Sequence, residues 1–375
     1  MDAVTDERLT RIECAQQATL GWLDRMQAPG VAYGISRISA AHDLGIWPGV
    51  LLPGTYNAIL CRNLLDGLEK VDRTGVRTWL LQHLRADGVF RVPGMLDADV
   101  FKRPEPGETW RYIDFHVTNY TLGALAALDP SDVPELSFVA DYLDPKTLKA
   151  WLADRDMRNP WLEGNNIVNL AGFLLAMRVR PSLRGQVDAA MEILFAWHDY
   201  HQEPGTGFWG VGQDTTLGRL HAMAGSMHNY HLWYVTGRPL PYQERAVDYA
   251  LSRTPGIVSA CIDVDLVDLL VHAYDQRDYR RAEIRTWLGA ELAALLAFQN
   301  DDGGFADEPA DVHAGVRRQD GWVRGYTEPQ GLSNTFSTWF RWIAIAMIAD
   351  LFWPGQWTWR FRRSVGVGFR SGAAW

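Results

Sequence analysis

The sequence predicts an all-α protein, an (α/α)6 toroid in which six inner helices surround a central cavity and six outer helices pack around them. Strand signals are few, and six apolar segments each end in a Gly-containing turn. Each is followed by a segment that begins with polar residues and becomes apolar. These pairs recur at intervals of about 45 to 70 residues, a spacing typical of closed or stacked arrays of supersecondary units. A helical solenoid is the alternative.

The two members of each pair differ in how apolar they are. The first members, which end in turns, cover residues 21–33, 78–90, 150–164, 194–210, 246–256 and 294–305. The second members cover residues 47–69, 115–128, 165–178, 220–235, 263–274 and 332–352. Because the second helix is the more apolar one, we expect it to be the inner helix. We predict a single domain over residues 1–353 and a Trp- and Arg-rich tail over residues 354–375.

Composition excludes several function classes. A net charge of −9 over 375 residues gives no general attraction to nucleic acid. The three cysteines are widely spaced and odd in number, which argues against a disulfide framework. Neither a signal peptide nor a transmembrane run is recognisable, so we expect a cytoplasmic protein with a small-molecule substrate. The tail carries four Arg and no acid; it either contacts a membrane surface peripherally or packs back over the toroid.

A turn motif recurs along the chain. The sequence "QNDDGGF" at 299–305 has the register Q-x-x-D-G-G-F, "QEPGTGF" at 202–208 repeats it, and "QAPGVAY" at 27–33 is a weaker copy. Gly303 permits the positive φ needed to leave a helix, and Gln299 can bond free backbone groups at a neighbouring helix end. We therefore interpret the motif as a structural clasp. It resembles the repeat of the squalene/hopene cyclase and protein prenyltransferase superfamily.

The starts of the second helices are rich in Asn, His and carboxylate side chains. Buried amides need several hydrogen-bond partners, so a purely structural core helix would not use Asn so freely. Asp114, Asn165 and Asp263 are expected to cap helices. His228 is a candidate catalytic residue. The candidate substrate-binding residues are His116, Asn119, Glu163, Asn165, Asn166, Asn169, His221, Tyr230, His231 and Asn334, with Trp161, Trp209 and Trp339.

The segment "CIDVDLVD" carries the sharpest cluster, formed by Asp263, Asp265 and Asp268. A helix that begins with these acids and is followed by the clasp resembles the catalytic half of class II terpene cyclases, which carry a D-x-D-D motif. The resemblance implies that Asp263 matches the first Asp and that Asp265 donates a proton to an isoprenoid. Leu266 departs from the motif, and Asp268 could substitute for the missing acid. In the structural alternative Asp263 is a cap and the other acids are solvated or pair with Arg280 and Arg281.

A carbohydrate enzyme is the rival interpretation. The sequence "HDLGIWPG" at 42–49 resembles the His-Asp-x-Gly segment of unsaturated glucuronyl hydrolases, which implies that Asp43 is an acid. A second likeness, to polysaccharide lyases, implies that Asn166, His221 and Tyr230 are counterparts of the lyase Asn, His and Tyr. A glycosidase needs placed carboxylates, and a lyase needs an amide and a base.

No cofactor is expected. The Asp-x-Cys zinc pair of protein prenyltransferases would fall at Asp263 and Asp265, but the Cys is absent and no His opens the helix at 332. No known ligand spacing supports Mg²⁺ or Ca²⁺ at these acids and Asp307. The polar segment 306–331 is long enough to be a lid.

Overall fold

The computed structural model describes residues 3–92, 94–95, 112–131, 133–309, 316–317, 323 and 325–370. These residues form thirteen α-helices, one 3-10 turn at Pro48–Val50 and one two-stranded antiparallel ladder. The predicted all-α class is confirmed.

The helices follow the order of outer and inner members that the sequence predicts. The outer members are α1 Ala3–Arg25, α3 Arg73–Leu81, α6 Pro145–Ala153, α8 Arg184–His201, α10 Gln243–Ser252 and α12 Arg281–Ala297. The inner members are α2 Leu51–Leu64, α4 Tyr112–Leu128, α7 Pro160–Met177, α9 Thr216–Thr236, α11 Ala260–Gln276 and α13 Thr335–Phe352. The remaining elements are the short helix α5 Val139–Tyr142 and the strands β1 Val316–Arg317 and β2 Glu328–Pro329.

Burial separates the two kinds of helix as predicted. Every residue of α13 from Thr335 to Ala349 is buried, whereas α12 buries only one stripe, which includes Trp287, Leu288 and Leu292. A helix that is apolar on all sides belongs in a core, and a one-sided helix belongs at its surface. The second helix of each pair therefore supplies the core.

The chain divides into two compact units. Unit 1 comprises Met1–Leu80 and Leu251–Phe361, and unit 2 comprises Leu81–Ala250 and Arg362–Trp375. In unit 1, α13 packs between α2 and α11; in unit 2, α7 packs between α4 and α9. Each unit thus has a core of three inner helices. The single domain ending at residue 353 stays a prediction.

One predicted helix boundary was wrong. The sequence analysis continued an outer helix to residue 164, but α6 ends at Ala153 and the inner helix α7 begins at Pro160. Asn159 caps α7, because its side chain accepts a hydrogen bond from the Leu162 N–H, and Pro160 has no N–H to leave unpaired. The Asn-Pro pair was the signal for this start.

The clasp interpretation of "QNDDGGF" agrees with the contacts of Gln299. Its Nε2 donates to the carbonyls of Ala15 in α1, at 3.0 Å, and of Gly303, at 2.9 Å. Gly303 has φ 88°, and a Cβ at this position would lie 2.4 Å from the carbonyl oxygen of Ala18. Phe305 is fully buried. The motif therefore fastens the end of one outer helix to the next outer helix of unit 1.

A second feature of these turns recurs. A backbone N–H that follows the turn donates to a hydroxyl on the next inner helix, which satisfies a buried donor. The pairs are Ser36 N with Thr55, Phe90 N with Thr118, Trp209 N with Ser226 and Phe305 N with Thr338, at 2.8 to 3.1 Å. The Ser or Thr on the inner helix thus completes the clasp.

The tail and the predicted lid are only partly described. Residues 362–370 pack within unit 2, where Val365, Val367 and Phe369 are buried, as the packed-back alternative expects. Residues 371–375 lie outside the described residues, as do 310–315, 318–322 and 324 of the predicted lid. None of the described helices is long and apolar enough to cross a membrane.

We predict that Gly303→Ala lowers the free energy of unfolding by about 2 to 4 kcal/mol, because the new Cβ meets the Ala18 carbonyl and φ is positive. Gly237→Ala is the matched control, since Gly237 has φ 67° and no neighbouring atom within 4 Å of a Cβ. It should cost about 1 kcal/mol. Urea unfolding measures both, and equal losses would contradict the clasp.

Candidate active site at the start of helix α11

Helix α11 begins with a side-chain cap that is not the one predicted. The Ser259 side chain accepts a hydrogen bond from the Ile262 N–H, which makes Ser259 the N-cap. Asp263 therefore lies in the first helical turn, where an ionised carboxylate is favoured by the helix dipole. The expectation that Asp263 caps the helix was wrong.

Asp263 is held by a buried arginine of α13. The Arg341 guanidinium donates to Oδ2 of Asp263, and the carboxylate also accepts from the Val258 N–H at 3.1 Å. Arg341 donates a further hydrogen bond of 2.6 Å to the carbonyl of Asp307. Burial raises the pKa of Asp263, and Arg341 opposes that rise. This ion pair joins the first turn of α11 to α13.

Arg280 and Arg281 have hydrogen-bond partners outside the Asp cluster. Arg280 donates to Glu283 at 2.6 Å, and Arg281 donates to the carbonyls of Arg277 and Tyr274. These contacts give no support to the structural alternative that paired the two arginines with the Asp cluster.

Asp265 is the carboxyl of the cluster that has the fewest hydrogen-bond partners. Its side chain is fully buried, and neither carboxyl oxygen has a hydrogen-bond partner among the described residues. Burial, and then the charges of Asp268 and Asp263, raise the pKa of Asp265 well above its ordinary value. These surroundings favour the protonated, neutral form of the carboxyl, since its charged form would be neither solvated nor paired.

Asp268 has a different environment from Asp265. It is also fully buried, but its Oδ1 lies 3.0 Å from Nδ1 of His272, four residues later on the same helix. The His272 ring therefore gives Asp268 a polar partner inside the core. The cluster thus contains one bare carboxyl between two that have partners.

Glu291 of α12 is a fourth acid that the sequence analysis missed. It is 1% exposed, its Oε2 accepts from the Gly256 N–H at 2.7 Å, and its Oε1 has no partner among the described residues. Burial, and then the charge of Asp263, raise the pKa of Glu291 to about 7. The available signal was its position in the apolar stripe of α12, four residues after Trp287 and four before Leu295.

In unit 2, the predicted amides Asn119 and Asn169 meet. Nδ2 of Asn119 donates to Oδ1 of Asn169 at 2.6 Å, and Arg362 of the tail donates to Oδ1 of Asn119 at 2.8 Å. His116 lies against the Tyr120 ring, with ring centroids 4.5 Å apart. Burial, and then His228 and Arg362, lower the pKa of His116 to about 3, so its imidazole is neutral. Arg362 was not among the predicted site residues.

A separate network in unit 2 involves Glu163. Arg155 donates to Glu163 at 2.9 Å, and Nδ2 of Asn166 donates to the same carboxylate at 3.1 Å. Asn165 does not cap α7; its amide donates to the carbonyl of Trp161 inside the helix. Asp114 likewise does not cap but pairs with Arg91. These partners assign Glu163, Asn165 and Asn166 to the packing of α7.

Several other candidates also make structural contacts. The Tyr230 hydroxyl donates to the carbonyl of Gly207 at 2.6 Å, which ties it to the second clasp. The Trp209 indole donates to the carbonyl of His198, and Asn334 is the N-cap of α13. Trp339 is buried on α13. Tyr230, Trp209 and Asn334 therefore stabilise turns and helix ends.

Asp43 does not support the hydrolase comparison. It is exposed, and its Oδ1 accepts hydrogen bonds from the N–H groups of Gly45 and Ile46, a local Asx turn. A carboxylate in open solvent lacks the shielding that tunes a catalytic acid.

The remaining candidate histidines, His221, His228 and His231, lie on α9. His228 and His231 are buried, and Nδ1 of His231 accepts from the Gly366 N–H. His221 is half-buried near the start of the helix, with its ring centroid 5.4 Å from that of Trp161. Burial lowers the pKa of His221, so its imidazole is neutral at neutral pH.

The chain was compared with known proteins. No protein family matches it, and no curated protein matches it. Among solved structures, it is similar to the type II terpene cyclase MstE from Scytonema, both without ligand and as a variant in complex with geranylgeranyl dihydroxybenzoate. Both structures have 14% identity to this chain and a TM-score of 0.47. The match covers 91% of this chain for the structure without ligand and 92% for the complex, and 98% of the cyclase chain in each case.

It is also similar to the GH76A alpha-1,6-mannanase from Salegentibacter sp. HEL1_6, with 13% identity and a TM-score of 0.42. That match covers 90% of this chain and 98% of the mannanase chain. At these values the similarities assign no activity to this protein.

We predict that Glu291→Gln removes a pH dependence of stability. The folded protein holds the Glu291 proton up to a pKa of about 7, whereas the unfolded chain releases it near 4.5. The folded state binds more protons in that window, so wild-type stability falls as the pH rises through it. The variant should therefore gain about 3 kcal/mol over wild type between about pH 4.5 and pH 8.

Urea unfolding at both pH values measures this difference. Glu13→Gln, at an exposed position of α1, is the control and should leave the pH dependence unchanged. An unchanged profile for Glu291→Gln would mean that Glu291 is ionised in the folded core.

Proposed function

We propose that the protein is an enzyme that starts isoprenoid cyclisation by transferring the proton of Asp265 to an alkene. The observation that carries the proposal is the bare, fully buried carboxyl of Asp265 among the described residues. A neutral acid whose O–H is engaged by no protein acceptor keeps its proton for a substrate. Because alkenes are very weak bases, such a donor must also be shielded from water.

The neighbouring acids serve this chemistry in two ways. Burial, and then the negative charge of these acids, raise the pKa of Asp265, which favours the protonated acid that the proposal requires. The same negative charge stabilises a carbocation that forms beside it, since preorganised charge acts where new charge develops. Asp263 is fixed by Arg341 and Asp268 by His272, so neither competes for the proton of Asp265 through a direct hydrogen bond in the described residues.

The proposed reaction balances without a co-reactant. The O–H bond of Asp265 breaks and a C–H bond forms at one alkene carbon, which leaves a cation on the other carbon. A second alkene of the same substrate attacks this cation and closes a ring. Loss of a proton from carbon to a carboxylate then restores the neutral product and the acid. The substrate and product are isomers, and no metal or redox cofactor enters these steps.

Leu266 is where the chain departs from the D-x-D-D pattern. Asp268, three residues after Asp265, lies close to the same face of α11, since residues three apart are neighbours on a helix. It also raises the pKa of Asp265. Asp268 therefore supplies the second neighbouring charge from a position two residues later than the pattern expects.

We predict that Asp265→Asn lowers turnover of the isoprenoid substrate by about 10² to 10⁴-fold, the usual contribution of a positioned acid. Its stability in urea should stay within about 1 kcal/mol of wild type, since a neutral amide replaces a neutral carboxyl. Product formation from farnesyl and geranylgeranyl substrates, followed by mass spectrometry, measures the activity.

The matched control is Asp275→Asn, at an exposed position near the end of the same helix, which should retain wild-type turnover. Turnover that survives Asp265→Asn would refute the assigned proton donor. Loss of both turnover and stability would point to a structural role for the carboxyl.

A carbohydrate-active function remains the second candidate, and one contact favours it. Trp161 and His221 are both half-buried, with ring centroids 5.4 Å apart at the starts of α7 and α9. A partly exposed indole can stack on a sugar ring, and a neutral imidazole can act as a base. The lyase counterpart Tyr230 supports this less, because its hydroxyl already donates to Gly207 and burial raises its pKa further.

If this second function holds, His221→Gln should abolish β-elimination of a saturated polyuronide, because the base that takes the α-proton is lost, while Asp43→Asn should not affect it. Absorbance of the released unsaturated sugar measures the cleavage. Uronide cleavage that is lost in Asp43→Asn but kept in His221→Gln would contradict the assigned base.

A further inference from the structure

Arg362 is a buried cation whose charge no acid of the described residues balances. The residue is 6% exposed, and no carboxylate within the described residues forms an ion pair with it. Its Nη2 donates to Oδ1 of Asn119 at 2.8 Å, its guanidinium lies 5.3 Å from the Tyr120 ring centroid, and its Nε has no acceptor among the described residues. A buried, unbalanced guanidinium is costly unless an anion comes to it.

The hydrogen bonds fix the orientation of the two amides beside Arg362. A guanidinium only donates, so the oxygen of Asn119 must face it, and Nδ2 of Asn119 then faces Asn169. The oxygen of Asn169 accepts that bond, which leaves Nδ2 of Asn169 as a buried donor with no acceptor in the described part of the chain. The two groups of this network that have no partner among the described residues, Nε of Arg362 and Nδ2 of Asn169, are therefore both donors.

Two glycines lie beside the contact between Arg362 and Asn119. Gly366 has φ 119°, and a Cβ there would lie 3.5 Å from Nη1 of Arg362 and 3.6 Å from Nδ2 of Asn119. A Cβ on Gly172 would have the Asn119 amide oxygen 4.0 Å away. The contact between Arg362 and Asn119 is therefore lined by backbone at these two positions. Nearby His116 is neutral at physiological pH, so it adds no second positive charge.

We propose that Arg362, Asn119 and Asn169 form a binding site for a small oxyanion, either a carboxylate or a phosphate group. Both present several acceptor oxygens, which match the unused Nε of Arg362 and Nδ2 of Asn169. The bound anion supplies the counter-charge that the described residues of unit 2 do not. The inference goes beyond the proposed function, because it involves none of the residues that would protonate an alkene.

Isothermal calorimetry with inorganic phosphate, pyrophosphate and benzoate tests the proposal, at constant ionic strength set with chloride. We expect saturable binding of one of these probes, and the carboxylate and phosphate arms identify the source of the anion. Arg362→Gln should weaken that binding by about tenfold or more, since a charge-assisted bond is lost. The neighbouring exposed Arg363→Gln is the matched control and should bind as wild type does.

Asn119→Asp tests the charge balance without removing the arginine. The new carboxylate would sit 2.8 Å from Nη2 of Arg362 as an internal counter-ion, and Asn169 can turn its amide to donate to it. This variant should be at least as stable as wild type in urea and should lose binding of the anion. If Arg362→Gln fails to fold, Asn119→Asp still tests the proposal, because it keeps the arginine.

Three outcomes would overturn the proposal. Wild-type protein could bind none of the three probes, Arg363→Gln could lose as much affinity as Arg362→Gln, or Asn119→Asp could bind the anion as wild type does.

Discussion

The buried ion pair between Arg341 and Asp263 is the interaction on which the arrangement of unit 1 depends. It joins α13 to the first turn of α11, and the same guanidinium reaches the carbonyl of Asp307, two residues after the QNDDGGF clasp. Asp307 in turn accepts the Ala260 N–H at the start of α11. A buried guanidinium requires partners that are fixed in place, because its desolvation is repaid only by well-made contacts. The start of α11, and with it the position of Asp265, follows from that requirement.

The sequence predicted the features that depend on local pattern. Alternating one-sided and all-apolar helices gave the inner and outer order, and the Gln, Gly and Phe of the motif gave the clasp. Local chemistry also identified Asp263, Asp265 and Asp268 as a cluster, because all three lie within the first turns of one helix.

What the sequence could not supply was the partner of each polar side chain. Arg341 was visible as the one basic residue of an apolar helix, and Glu291 as a carboxyl in an apolar stripe, but their partners lie tens of residues away along the chain. For Asp43, a local resemblance suggested a catalytic acid, and the structure has this residue in a solvent-exposed turn. Ser259 capped α11 where an Asp was expected, since several residue types serve equally well as caps.

The two units differ in the polar groups that their candidate sites leave without partners among the described residues. In unit 1 these include the carboxyl oxygens of Asp265 and Glu291, together with Nε of Arg341 and Nδ2 of Asn334, and in unit 2 they include the donors of Arg362 and Asn169. Unpartnered buried polar groups are costly to a fold, and at functional sites they are commonly reserved for a ligand. The carboxyls of unit 1 suit a reaction that donates a proton and develops positive charge. The Arg362 and Asn169 donors of unit 2 suit a bound anion.

The protonation state of Asp265 is the central claim, and carbon NMR of protein labelled at its aspartate carboxyl groups tests it most directly. The account predicts one carboxyl resonance that stays at the protonated chemical shift through neutral pH and is absent from Asp265→Asn. If every aspartate carboxyl is ionised at neutral pH, or if the protonated resonance survives in Asp265→Asn, then Asp265 holds no proton for a substrate and the account is contradicted.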